Sequence, residues 1–255
     1  MVMYTNIKRI AALVLSLCLV LSLCACGADS GQTPSVEATH ADQALILTDM
    51  IGRELTVTPG SYKRVVCIGA GALRMYSYVG DVSLLCGVED IDNTSLEQRP
   101  AMFDGVARPY LIANQDLLAQ LPSCGVGGPM AQTAEAEKIL SCNPDIVISE
   151  YEDVEKADAL QEQLGVPVVT LSTGPNGVFD DAFAGSMTLL GRIFCQEAKA
   201  EKLISFIAAE AAEITARTAD VPEAEKPSVY ICGLGNWGLI RRKRSQRKNI
   251  DQLCI

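Results

Sequence analysis

Short apolar runs alternate with helix-forming segments through the middle of the chain, and this alternation restricts the possible folds more than any other feature. The runs have the length and composition of strands buried on both faces, and they lie at residues 64–68, 84–88, 145–149 and 166–171. Segments of helical character follow them at residues 73–79, 133–140 and 154–164. This order predicts an α/β fold with a Rossmann-like parallel sheet and helices on both faces.

Smaller signals refine this prediction at two places. Residues 45–47 and 55–57 are mainly apolar and flank a turn, which predicts two short strands. In the second helix, Thr133 is predicted to be the N-cap, because its hydroxyl can accept from the free amides of the first turn. Glu135 and Glu137 would stabilise that turn electrostatically.

The longest periodic segment spans residues 177–218. Apolar residues recur there at steps of three and four, as on one face of a helix: Phe179, Phe183, Met187, Leu190, Phe194, Leu203, Ile207, Ala211 and Ile214. Residues 197–217 contain no Gly or Pro, and a helix of that length is about 30 Å long. Two interpretations are open: a strut between two lobes, and an ordinary surface helix of one domain.

The N-terminal region predicts export and a lipid anchor. Two basic residues precede a short apolar run at residues 10–25, which is typical of a secretory signal peptide. Cys26 follows an alanine, as in the lipobox of bacterial lipoproteins. We therefore expect residues 1–25 to be removed and Cys26 to carry acyl chains such as palmitate, on the extracytoplasmic face of the cell membrane. The alternative is an ordinary signal peptide with incidental cysteines. Residues 26–44 are small and polar, as in a flexible tether.

The ten cysteines do not follow the pattern of a disulfide framework. Three belong to the signal peptide or the anchor, and the seven others are odd in number and contain no C-x-x-C pair. Four lie within or beside apolar strand and helix patterns, which predicts small core residues: Cys67, Cys86, Cys142 and Cys232.

Sequence signatures of catalysis and of cofactor binding are missing. After Gly69 and Gly71, the third glycine of a dinucleotide-binding turn would fall at Arg74. The chain contains no Walker lysine motif, H-E-x-x-H or G-x-S-x-G, and its one histidine, His40, lies in the polar tether. We therefore expect no enzymatic activity and no cofactor. We also expect no bare metal ion, since the sequence lacks clusters of His and carboxylate side chains.

Six short motifs occur in a characteristic order. They are T-D-M-I-G-R-E at 48–54, R-V-V at 64–66, Gly125-x-Gly127 before A-E-A-E-K-I-L at 134–140, N-P-D-I-V-I at 143–148, G-V-P-V-V at 165–169 and L-L-G-R at 189–192. Over about residues 45–238, the chain resembles the substrate-binding lipoproteins of iron-siderophore and cobalamin ABC importers. The resemblance implies the chelatase-like fold of class III periplasmic binding proteins, in which one long helix joins two α/β lobes and the ligand lies between them.

The resemblance also implies a domain organisation and a function. An N-terminal ligand-binding lobe is expected at residues 45–177, a helical spine between the lobes at 178–222, and the first strand of a second lobe at 223–238. The expected function is delivery of a chelated iron or corrinoid-type small molecule (a ferric siderophore, haem or cobalamin) to an ABC permease. A nucleic-acid partner is not expected.

The loops that follow the strands are expected to line the ligand cleft. The resemblance points to these ligand-binding residues: Gly69, Ala70, Gly71, Arg74, Tyr110, Glu150, Tyr151 and Trp237. Arg74 is expected at a helix start, where its guanidinium can pair with an anionic chelate. The other polar and aromatic residues are expected in loops, where they stack on the ligand or bond to it.

The composition changes sharply at residue 239. Residues 239–255 contain six basic side chains and one acidic side chain, whereas the whole chain has a net charge of −10. One interpretation is a basic tail that binds anionic lipid or nucleic acid, as in a surface interaction lipoprotein. The other, which we favour, is a frameshift or gene end that replaces most of the second lobe, truncates the protein and weakens ligand binding. An enzyme on the same α/β scaffold is the third function class.

Overall fold

The computed structural model describes residues 43–128, 131 and 133–226 of the chain. Strands and helices alternate through this part. The strands are β1 (Leu45–Thr48), β2 (Glu54–Val57), β3 (Val65–Ile68), β4 (Leu85–Glu89), β5 (Ser123–Gly125), β6 (Ile146–Ser149) and β7 (Val168–Thr170). The helices are α1 (Ala72–Val79), α2 (Pro109–Leu118), α3 (Ala136–Ser141), α4 (Val154–Leu164), α5 (Asp181–Phe194) and α6 (Glu197–Thr218).

A five-stranded parallel sheet forms the centre of the described part, as predicted. Its strand order is β5-β4-β3-β6-β7, and each neighbouring pair is parallel. The predicted strands at residues 45–47 and 55–57 are confirmed as β1 and β2, which form a separate antiparallel hairpin. All residues of β3 and β6 are buried, which explains their largely continuous apolar sequences.

Helices cover both faces of the sheet. Val65 and Cys67 of β3 belong to a core that α1, α5 and the start of α6 complete, whereas Val66 and Ile68 belong to a second core with α3 and α4. Side chains of one strand enter both cores because successive residues point to opposite faces. This three-layer arrangement confirms the predicted α/β class.

The side chain of Arg53 anchors the β1–β2 turn to the edge of the sheet. Its guanidinium donates to Asp49 Oδ2 at 3.1 Å, to Asp158 Oδ1 of α4 at 2.6 Å and to the carbonyl of Val168 in β7 at 3.0 Å. Arg53 is 7% exposed and Asp49 is 5% exposed. A buried cation is tolerated here because charged and neutral oxygens surround it.

The long periodic segment consists of two helices. Between α5 and α6, Cys195 adopts a left-handed backbone conformation with φ of 52°. The amide of Gln196 donates to the carbonyl of Gly191 at 2.7 Å and closes the end of α5. The prediction of one helical face across residues 177–218 is therefore wrong, because the left-handed residue redirects the chain. Residues 177–179 form a separate 3-10 turn before α5.

Within the described residues, only the first half of α6 packs on the core. Ala200 is buried, and Leu203 and Ile207 pack partly against the core of α1 and α5. In contrast, Phe206 is 60% exposed and Ile214 is 37% exposed. The role of this helix as a spine between two lobes stays a prediction.

Two helices and one strand differ from the sequence prediction. Helix α3 begins at Ala136, so Thr133 is not its N-cap. The chain bends before the helix because Glu135 turns back and accepts from the amide of Val126 at 2.6 Å. Helix α2 and strand β5 were not predicted, since α2 buries only Leu111 and Leu118 and β5 has only three residues.

Several predicted features lie outside the described residues. They are the signal peptide and the tether up to residue 42, including Cys26 and His40, the segment with Cys232 and Trp237, and the basic tail. No helix in the described part of the chain is long and apolar enough to cross a membrane.

Candidate functional site

The carboxyl ends of the parallel strands bring five connections to one side of the sheet, which we call the carboxyl edge. It is formed by residues 69–71 after β3, Glu89 at the end of β4, Gly127 after β5, residues 150–151 after β6 and residues 172–173 after β7. Ligands of open α/β sheets bind outside this end of the strands. The position of the edge therefore makes it the candidate site.

A glycine turn lies at the centre of the carboxyl edge and leads into α1. Gly69 has φ of 89° and Gly71 has φ of 119°, conformations that residues with a Cβ rarely adopt. A Cβ on Gly69 would lie 3.3 Å from the backbone nitrogen of Glu150, and one on Gly71 would lie 2.3 Å from Glu150 Oε2. Only glycine therefore fits beside Glu150. Ala70, between the two glycines, is exposed.

Glu89 is a buried carboxyl group on one side of the glycine turn. Its Oε1 accepts from the amide of Gly69 at 3.1 Å, and the residue is 6% exposed. Burial raises the pKa of Glu89 to about 7; the Gly69 hydrogen bond opposes this shift, and the nearby Asp92 adds to it. A Cβ on Gly127 would lie 2.5 Å from Glu89 Cβ, so the loop after β5 packs directly on this glutamate.

Glu150 is a second carboxyl group on the other side of the turn. Its Oε1 accepts from Thr173 Oγ1 at 3.0 Å, whereas its Oε2 is buried and has no hydrogen-bond partner among the described residues. Burial raises the pKa of Glu150 to about 7, although the Thr173 hydrogen bond and the positive charge of Arg74 lower it. A buried acceptor without a partner is uncommon in folded proteins and marks a place where a donor fits.

Arg74 lies in the first turn of α1, as predicted, and is half-buried. No ion pair of Arg74 occurs within the described ranges of the chain, and its charge acts on Glu150 from a distance. The guanidinium is therefore available at the same edge as the glycine turn.

The two tyrosines predicted for the cleft have different surroundings. Tyr151 lies in the loop after β6, half-buried, and the charge of Glu89 contributes to its raised pKa after burial. Tyr110 does not lie in a loop: it is in the first turn of α2, and its hydroxyl donates to Asp92 Oδ1 at 2.9 Å. Arg108 Nη1 donates to the same oxygen at 2.5 Å. The Tyr110 hydroxyl is thus already engaged within the lobe.

Three residues of the carboxyl edge were missed by sequence reasoning: Glu89, Gly127 and Thr173. Glu89 carries a recognisable signal, because it is the polar residue that ends an apolar parallel strand, where ligand-facing residues are expected. Gly127 belongs to the Gly125-x-Gly127 motif but was not assigned to the site, and Thr173 has no local signal, since the importance of both comes from contacts with residues distant in sequence. No group of three or more His, Cys, Asp or Glu residues able to hold a metal ion occurs in the described part.

A parallel sheet with a glycine turn and polar groups at its carboxyl edge is typical of α/β proteins that bind ligands at this end of the strands. The sequence profile of the periplasmic binding proteins matches residues 65–241. The chain therefore belongs to the periplasmic binding protein family. No curated protein matches it significantly.

Solved structures of periplasmic binding proteins share the fold. The molybdate-binding MolA of Haemophilus influenzae, bound to molybdate, has a TM-score of 0.55 at 17% identity, covering 72% of this chain and 56% of MolA. The siderophore-binding protein BauB, bound to ferric iron and acinetobactin, has a TM-score of 0.51 at 15% identity, with 71% and 56% covered. FepB of Veillonella parvula, described as TroA-like, has a TM-score of 0.51 at 19% identity, with 72% and 51% covered.

These similarities confirm the predicted fold of class III periplasmic binding proteins. The chain spans about half the length of the structures that it matches. The family and these neighbours are described as binding proteins, and MolA is described as the binding protein of an ABC transporter.

Proposed function

We propose that the chain is the extracytoplasmic solute-binding protein of an ABC importer and that it carries a chelated metal ligand to the permease. Family membership supports the binding role, and the similarity to BauB supports a ferric siderophore as the first ligand class to test. Haem and cobalamin are the other members of the proposed class. Acyl chains on Cys26 would hold the protein at the membrane surface, with residues 26–44 as the tether.

The observation that carries this proposal is the contact between the glycine turn and Glu150 at the carboxyl edge. Gly71 leaves room for the carboxyl group, and Glu150 Oε2 is buried without a partner in the described structure. A ligand that donates a hydrogen bond to this oxygen would satisfy it, and Arg74 would pair with an anionic part of the same ligand. Backbone groups of residues 69–71 and the ring of Tyr151 complete the proposed contacts.

Other parts of the predicted organisation belong to the same proposal. Residues 45–177 are the proposed binding lobe, α6 is the proposed spine within residues 178–222, and residues 223–238 begin the proposed second lobe. Trp237 is a proposed ligand contact from that segment. Tyr110 is proposed to support the edge through Asp92 rather than to touch the ligand.

Ligand titration of the purified chain tests the proposal. Calorimetry would compare a ferric trihydroxamate, a ferric catecholate, haem, cobinamide and molybdate. We expect saturable binding of at least one of the first four, and a loss of at least about tenfold in affinity for Glu150→Ala, which corresponds to about 1.4 kcal/mol. Glu152→Ala is the matched control, because Glu152 is exposed two residues further along the same loop. Binding of none of the four chelates would contradict the proposal, as would equal losses in both variants.

A further inference from the structure

Three buried cysteines converge on the face of the sheet that α3 and α4 cover. Cys86 of β4 is 8% exposed, Cys124 of β5 is 1% exposed and Cys142, directly after α3, is 2% exposed. All three belong to one hydrophobic core, and all are free thiols in this structure. Sequence spacing does not bring them together, because no C-x-x-C pair exists and the strands come from distant parts of the chain.

Irregular strand pairing determines the positions of two of these thiols, Cys86 and Cys124. Between β3 and β4 the register changes so that Cys86 is the additional residue, with Val66 opposite Gly87. Between β4 and β5 it changes again, and Cys124 is the additional residue between Ser123 and Gly125. Such bulges bend a strand locally and re-aim side chains.

The side chains of Cys124 and Cys142 both border the space over Gly87. A Cβ on Gly87 would lie 2.6 Å from Cys142 Sγ and 3.2 Å from Cys124 Cβ, so both cysteines contact the same small space. Cys142 Sγ also lies 3.7 Å from the carbonyl oxygen of Ser123, the residue before Cys124. The missing side chain at position 87 therefore makes room for this pair.

We propose that Cys124 and Cys142 are a redox pair that closes into a disulfide under oxidising conditions. The co-reactant is an external disulfide, either a small molecule or a protein. A thiolate of the pair attacks it and releases one thiol, and the second cysteine then displaces the other half from the mixed disulfide. In sum, two protein thiols are oxidised to one disulfide and the external disulfide is reduced to two thiols.

Burial sets the kinetics of this step. It raises the pKa of each of the three thiols, and that of Cys86 to about 11, so all are protonated at neutral pH. Only the thiolate reacts, so oxidation is slow in the closed lobe and accelerates with increasing pH. Because β5 is at the edge of the sheet, its local opening breaks the fewest contacts. This opening is the route by which the external disulfide would reach the buried thiols.

The disulfide would act on the carboxyl edge. It would join the two ends of the segment that contains Gly127 and α3, and Gly127 packs against Glu89. Closure would therefore restrict the motion of one loop of the proposed binding site. This consequence for ligands rests on the proposed function, whereas the disulfide itself does not.

Peptide mapping tests the pair without any ligand. The reduced chain is incubated with oxidised glutathione at pH 8.5, its remaining thiols are alkylated after denaturation, and the digest is analysed by mass spectrometry. We expect a linked Cys124–Cys142 peptide and a Tm increase of about 5–10 °C that dithiothreitol reverses, because the bond closes a loop of intermediate length. No cross-link at these positions, pairing with Cys86 instead, or glutathione adducts alone would overturn the proposal.

Variants separate this disulfide from other oxidation. Cys142→Ser should lose the Tm increase, and Cys195→Ser, at the junction of α5 and α6, should keep it. If Cys142→Ser does not fold, the wild-type peptide map under reducing and oxidising conditions decides the question. Because no ligand is used, failure of the proposed transport function leaves the result of this experiment unaffected.

Discussion

The backbone amide of Gly69 donates a hydrogen bond to Glu89 Oε1 at 3.1 Å, so a buried carboxyl group holds the glycine turn that begins α1. Glu150 contacts the same turn from the next strand on the other side of β3. The two carboxyl groups thus flank one turn at the carboxyl edge, and burial raises the pKa of each to about 7.

Glu89 makes the stability of the lobe depend on pH. Because the pKa of Glu89 increases from 4.5 to about 7 on folding, the folded chain binds the proton more tightly than the unfolded chain. The contribution of this group to the free energy of unfolding is fully present below about pH 4.5 and is lost as the pH rises through 7. Between pH 5 and pH 8, titration of Glu89 should lower the free energy of unfolding of the wild-type chain by about 2–3 kcal/mol. The Glu89→Gln variant should lack this part of the decrease.

Urea unfolding at pH 5, 7 and 8 measures this effect. Glu162→Gln is the matched control for the change of a glutamate to glutamine, because Glu162 is exposed on α4. A Glu89→Gln variant with the wild-type pH profile would show that this carboxyl group keeps an ordinary pKa in the folded protein.

Gly71→Ala should destabilise the lobe by about 2–4 kcal/mol, because it combines backbone strain at φ of 119° with a contact of 2.3 Å to Glu150 Oε2. Gly165→Ala is the matched control: its φ is 68°, but no atom lies within 4 Å of the new Cβ, so a cost of about 1 kcal/mol is expected. Chemical denaturation measures both. The Glu150→Ala change should recover part of the loss in the double variant; strict additivity would mean that the two residues do not meet.

Arg53→Ala should destabilise the lobe by about 3–5 kcal/mol, because it leaves the buried Asp49 carboxylate without its cation. Arg217→Ala serves as the comparison, since Arg217 pairs with Glu213 on the exposed surface of α6 and should change stability by less than about 0.5 kcal/mol. Thermal and urea unfolding of the two variants check the difference. Equal effects would contradict the anchoring role of Arg53 at the β1–β2 turn.

Tyr110→Phe distinguishes a structural tyrosine from a ligand contact. The change removes a hydrogen bond to the buried Asp92, which should cost about 1–2 kcal/mol of stability and leave ligand affinity nearly unchanged. The exposed Tyr78, changed to Phe, is the control for both measurements. A loss of affinity with unchanged stability would instead restore Tyr110 to the ligand contacts.

Local patterns in the sequence were sufficient to predict the class of fold. The buried runs around β3 and β6 predicted strands, and helix α4 ends where Gly165 adopts a left-handed conformation, as the glycine suggested. These features depend on residues close together in sequence, where periodicity and turn chemistry act. The break at Cys195 was missed because a left-handed residue other than glycine has no reliable sequence signal.

The sequence by itself determined the order of the elements, the parallel α/β class and the position of the glycine turn after β3. Only the tertiary structure decided that Glu89 and Glu150 flank this turn, that the Tyr110 hydroxyl donates to Asp92, and that two cysteines border the space over Gly87. The physical reason is the strand order. Strands that are neighbours in the sheet are distant in the chain, and bulges set which side chains meet, so these contacts follow from packing rather than from any local pattern.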